Sequence, residues 1–157
     1  MPPAQKNGFG LIETIIGASL VTIIIVGIGS VSRSALNLSK HNLEETKAQF
    51  LLVEAAEALR AQRDNGWNYI SSLSTSTAYY ILFSTSTTQW ISTTTKIVID
   101  GTYTRTVNLS DVFRNGTDDI VPSGTYDNGS KKGRISVSWN TTGATTTKTL
   151  DLYLTNL

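Results

Sequence analysis

Residues 6–31 read KNGFGLIETIIGASLVTIIIVGIGSV. One acidic residue, Glu13, stands near the start of an otherwise unbroken apolar run, and from Thr14 to Val31 there is no charge at all. At 1.5 Å per residue the run makes a helix of roughly 27 Å, close to the ~30 Å hydrocarbon core of a bilayer. An acidic side chain at the centre of a membrane helix costs about 2.5–3.5 kcal/mol, so Glu13 calls for a compensating role. The run exceeds the h-region of a cleaved secretory signal, and GSVSRSALN (29–37) holds no A-x-A-like site. A plain signal anchor fits the length but leaves Glu13 without a purpose.

Beyond the run, the chain changes character. Its 157 residues and 17.0 kDa allow one domain plus an appendage. The apolar residues are concentrated before Val31, and the remainder of the chain is rich in Ser, Thr and Asn. A net charge of +1 argues against direct nucleic-acid binding by phosphate neutralisation. With no cysteine, disulfides, thiolate chemistry and Cys-based zinc sites are excluded. His41 is the only histidine, so no second one completes a site with it, and it reads as a solvated helix-face residue.

Past Arg33 the helical pattern continues with a polar face. LSKHNLEETKAQFLLVEAAEALRAQRDNGW (38–67) comes after Leu36; Leu36, Leu43 and Phe50 recur at steps of seven, then Leu52, Ala55, Ala56 and Leu59 at steps of three and four. This is an amphipathic helix, with Glu44–Lys47 and Glu57–Arg60 as i,i+3 pairs. DNG ends it: Gly66 suits the C′ position and Trp67 folds back on the last turn. The face is expected to pack mainly into a core, with partner binding as the lesser reading. From Phe9 to Arg63 the helix is expected to run roughly 80 Å. Gly27, Gly29 and Ser30 leave two readings open: close backbone approach of another helix, or a softened stretch, since glycine costs about 1 kcal/mol in a helix interior.

The second half of the chain is strand-like. AYYILF (78–83), TQWIS (88–92) and TKIVID (95–100) are apolar runs between Ser/Thr clusters. Asp100-Gly101 separates KIVI from TYTRTVNL and marks a hairpin. RISVSWN (134–140) and TLDLYLTN (149–156) alternate with period two around Gly143. Trp139, Leu150, Leu152 and Leu154 are predicted core residues. RNGTDDIVPSGTYDNGSKKGR (114–134) reads as a loop. The solution for these elements is α+β: a long N-terminal α-helix, transmembrane in its first half and amphipathic in its second, packed on a C-terminal antiparallel β-sheet.

The order Gly8, Phe9, two aliphatics and Glu13, after a short leader containing Lys6 and before an apolar helix, resembles the type IV pilin and pseudopilin N-terminus. The departures are Asn7 between Lys6 and Gly8, Gly10 for a common Thr, and Thr14 for a common aliphatic residue. The resemblance implies cleavage between Gly8 and Phe9 by a prepilin peptidase and N-methylation of Phe9. It also implies pairing of one subunit's Glu13 with the next subunit's Phe9 amine during assembly. The implied partners are that peptidase, other subunits, an inner-membrane assembly platform and the lipid bilayer, with the head outside the cytoplasmic membrane and on a pilus or pseudopilus after assembly. It divides the chain into a leader (1–8), an assembly helix (9–32), the amphipathic helix of a head (33–66) and a sheet head (67–157). More narrowly, R-x-x-R-D-N-G-W at the helix end and the terminal V-x-W…L-x-L-Y-L-T-N resemble minor pilins of the modification V type, with type II secretion pseudopilin I as the neighbouring possibility. Absence of a cysteine pair favours a minor pilin or pseudopilin over a major pilin.

No catalytic set emerges: there is one remote histidine and no GxxxxGK[ST] or GxGxxG, so neither an enzyme nor a cofactor is expected. Asp118, Asp119 and Asp127 are oxygen ligands of a kind that holds Ca²⁺, but they match no EF-hand spacing and lie near Lys131, Lys132 and Arg134. A solvated turn and no metal site are expected. The competing function is a signal-anchored extracytoplasmic domain that binds a ligand or carries an unrecognised activity.

Overall fold

The computed structural model describes residues 10–141 and 143–156. The chain is α+β, with one long N-terminal helix, α1 (Leu11–Asp64), packed on an antiparallel sheet. A short second helix, α2 (Asn68–Ser71), precedes the strands β1 (Ala78–Ser84), β2 (Gln89–Thr93), β3 (Val98–Ile99), β4 (Tyr103–Arg114), β5 (Ile120–Val121), β6 (Thr125–Thr141) and β7 (Ala144–Thr155). There are two compact units, dividing after Leu43. In the first, every described residue is exposed. The second, Glu44–Leu157, contains the core.

Within the second unit α1 buries Ala48, Leu51, Leu52, Ala55, Ala56, Ala58 and Leu59. Together these alanines and leucines recur at three- and four-residue spacing, and the small alanines let the helix lie close on the sheet. Phe50 departs from the expected face and is 70% exposed. At 3.6 residues per turn, Phe50 and Leu52 point about 200° apart, so one helix cannot bury both against one sheet. Leu36 and Leu43 are likewise exposed. The seven-residue series is therefore not part of the core. Among the expected ion pairs, Glu57 and Arg60 do meet, while Lys47 reaches Asp100 at 2.5 Å.

The helix ends as DNG predicts. Gly66, at φ +146°, donates to Arg63 O at 3.0 Å, and Trp67 packs against the core.

The sheet has seven strands, its main path running in the order β2-β1-β4-β6-β7. The long β4 pairs with β6 along one edge and shares its other edge among β3, β1 and β5. Asp100 and Gly101, at φ +49° and +66°, turn β3 into β4, and the chain reverses at Gly143, φ +88°, between β6 and β7. Tyr103, Val107 and Leu109 of β4, Ile135, Val137 and Trp139 of β6, and Leu152 and Leu154 of β7 face the helix and are buried. Leu150, on the same strand, is only half-buried. Gly133 keeps the contact tight: a Cβ there would meet Leu152 at 3.2 Å and Leu59 at 3.6 Å.

One segment departs from the sequence reading. Much of 114–134 is strand, forming β5 and the first half of β6. β4 extends far enough to pair with both, and the register slips between Asp111 and Val112, where Lys131 is followed as partner by Asp127. Such an irregularity admits Asn128, Gly129 and Ser130 without ending the strand.

Candidate functional site

Glu13 lies in the first turn of α1, just inside the start of the helix. Its amide and that of Thr14 donate to Gly10 O at 3.0 and 3.3 Å. A carboxylate there is favoured by the partial positive charge of the helix N-terminus, by about 0.3–1 kcal/mol. That local term is smaller than the cost of carrying the charge into hydrocarbon. Gly8 and Phe9, expected to flank the cleaved bond and to supply the methylated amine, lie outside the described residues.

The helix that begins here is long and apolar enough to cross a membrane. Its isoleucines, leucines and valines from Leu11 to Val31 are all more than half exposed. The hydroxyls along this stretch turn back onto the helix: Thr14, Ser19, Thr22, Ser30 and Ser32 donate to the carbonyls of Leu11, Ile16, Ala18, Gly27 and Ile28 at 2.8–2.9 Å. In hydrocarbon, where no water satisfies a hydroxyl, this internal bonding removes most of its desolvation cost. The helix stays regular through Gly27, Gly29 and Ser30. Among the described residues a Cβ at Gly17, Gly27 or Gly29 would meet nothing within 4 Å, so no contact among them explains these glycines.

The head carries a buried cation that the sequence reading missed. Arg105, 4% exposed, donates from Nη1 to Leu51 O at 3.1 Å and Glu54 Oε2 at 2.6 Å, and from Nη2 to Ile81 O at 3.2 Å. It thus ties α1 to both β1 and β4. The signal was parity: Arg105 shares the inward face of β4 with Tyr103, Val107 and Leu109. Further ties run from Tyr103 Oη to Glu44 O at 3.3 Å, from Thr141 Oγ1 to Glu44 Oε2 at 3.2 Å, and between Lys148 and Glu45.

The three aspartates with the chemistry of oxygen ligands are engaged otherwise. Asp127 accepts from Arg114 Nε at 2.7 Å, a bond that holds its carboxyl below the usual range. Asp118 also lies by Arg114, at 3.6 Å. Asp119 accepts from Thr117 Oγ1 at 2.7 Å and Asn115 Nδ2 at 3.3 Å; these bonds lower its pKa. Among the described residues no group of three or more acidic, histidine or cysteine side chains is arranged to hold a metal ion. His41 is exposed on α1.

Compared with models of known protein families, with curated proteins and with solved structures, the chain has no match.

Proposed function

We propose that this chain is a filament subunit of the type IV pilin or pseudopilin class, stored in the cytoplasmic membrane through the start of α1 with its head outside. The observation that carries the reading is the N-terminal part of α1: an apolar helix, exposed throughout and free of charge from Thr14 to Val31, with every hydroxyl from Thr14 to Ser32 bonded to its own backbone. The single charge of its first turn is Glu13. A head built by laying the rest of the same helix on an antiparallel sheet agrees with it. The absence of cysteine and the terminal strand motifs favour a minor pilin or pseudopilin.

On this reading a prepilin peptidase cuts after Gly8 and methylates the new amine of Phe9, a group with an ordinary pKa of about 7.7–8.0. The positive amine and Glu13 are each costly alone in or near hydrocarbon. Pairing the amine of one subunit with Glu13 of the next offsets both, which makes the carboxylate an assembly device. Glycines without a contact among the described residues then serve close approach between neighbouring helices. The exposed Leu36, Leu43 and Phe50 extend that contact surface.

Glu13→Gln tests the pairing. It removes the charge while keeping size, so membrane insertion and cleavage persist. Docking fails, because the neighbouring amine loses its counter-charge. The expected protein is processed, resident in the membrane and absent from sheared filaments, with Glu13→Asp partly restored. Entry of Glu13→Gln into filaments at the wild-type level overturns the pairing.

A further inference from the structure

A groove in the head lies between the last turn of α1, α2 and β2, with a volume of about 420 Å³, inside the about 300–1,000 Å³ of small-molecule sites. Among the described residues no charged side chain lines it. Its polar groups are chiefly the amides of Gln62, Asn65, Asn68 and Gln89, and its rings are Tyr69 and Trp90.

Gln62 forms part of the inner wall. It is 3% exposed, its Oε1 accepts from Ser92 Oγ at 2.9 Å, and its Nε2 has no partner among the described residues. A buried N–H left unpaired costs free energy that an apolar side chain would not. Turning the amide end for end changes which atom lacks a partner but still leaves one. This nitrogen is closed to solvent, like the unpaired Arg105 Nε and Trp139 Nε1, so the groups a ligand meets are the exposed ones. Asn65, Asn68, Tyr69 and Gln89 are exposed.

We propose that this groove binds a neutral saccharide. An amide presents donor and acceptor side by side, matching hydroxyls that both donate and accept. The C–H face of a pyranose is apolar and stacks on an aromatic ring such as Trp90. A lining without charge offers nothing to pair with a phosphate, carboxylate or ammonium group. Peptide addition at a sheet edge rests on main-chain hydrogen bonds, whereas the groups that distinguish this groove are side-chain amides. The site lies within the second unit and does not depend on filament assembly.

The test uses the full chain, purified in a detergent without a sugar headgroup, on an array of neutral oligosaccharides of glucose, galactose, mannose and N-acetylhexosamines. Sialylated and sulfated glycans serve as charged controls, and an immobilised peptide library runs in parallel. Free oligosaccharides and the same glycans on a carrier protein distinguish a polysaccharide source from a glycoprotein source. The expected result is retention of at least one neutral saccharide that survives about 1 M salt, where charges are screened within about 3 Å. Asn68→Ala and Gln89→Ala, both at exposed positions and so expected to fold, each weaken it about 3- to 10-fold, in line with one lost hydrogen bond. Trp90→Ala weakens it further. The proposal is overturned by no neutral saccharide binding, by preference for charged glycans or peptides, or by binding unchanged in both amide variants.

Discussion

Replacing Arg105 separates two accounts of how the head holds its helix. The guanidinium is 4% exposed and reaches three acceptors: Leu51 O and Glu54 Oε2 on α1 and Ile81 O on β1. A planar fork can serve all three at once, whereas an ammonium on a shorter reach cannot. Arg105→Lys therefore keeps a charge in a dry site while losing part of its compensation, at about 3–5 kcal/mol. Arg105→Met keeps most of the stem volume and removes the charge. Glu54, with 45% of its side chain exposed, then turns to water, and the loss is about 0–2 kcal/mol, since a well-packed apolar replacement for a buried ion is often near neutral. The conservative change is thus the worse one. For a unit the size of Glu44–Leu157, each kcal/mol moves Tm by roughly 3–5 °C, so the two variants separate by several degrees. The assay is thermal unfolding of the full chain followed by tryptophan fluorescence, which reads the buried Trp139. A lysine variant as stable as the methionine variant would refute the argument that fork geometry, and not charge alone, holds this site.

Other expectations concern the sheet. Leu152→Asp sets a carboxylate beside Gly133, in a core where an unpaired charge is not tolerated. The head should fail to fold, and unchanged unfolding would contradict the β6–β7 register. Asp151 accepts from Arg134 at 2.8 and 2.9 Å and lies 2.9 Å from Lys132, and these contacts, Arg134 first, hold its carboxyl well below the usual range. A depressed folded pKa gives stability that is present above the ordinary carboxylate value and lost as pH falls through the folded one. Unfolding midpoints should therefore drop below about pH 4, and less steeply in Asp151→Asn. Because Asp151 is partly exposed, its contribution is only about 1 kcal/mol after screening, and equal slopes for the two proteins would remove it from the acid response.

How much of the molecule was legible in the sequence depends on how locally each feature is encoded. The Asp100-Gly101 turn, the close of α1 at Gly66 and the alternation of Ile135, Val137 and Trp139 each rest on a few adjacent residues, and each stands in the structure. The strand from Thr125 to Gly133 was hidden, since Asn128, Gly129 and the charged Lys131 and Lys132 read as loop until β4 is seen to pair with this segment. Leu36, Leu43 and Phe50 misled because seven-residue spacing says that residues share a side of a helix, not which side meets the sheet. Arg105 escaped because a cation at an inward position looks like solvent-facing punctuation. The saccharide groove had no sequence signal at all: its amides come from residues 62–89, brought together by the end of α1, α2 and β2. Glu13, by contrast, stands out in the sequence, because one charge before a long apolar run needs a reason.

The mature N-terminus decides the central claim. Intact-mass measurement of the chain from cells with and without a prepilin peptidase should show, only where the peptidase is present, loss of residues 1–8 and one added methyl group on Phe9. A chain that begins at any other residue, or that stays full length beside an active peptidase, contradicts the account.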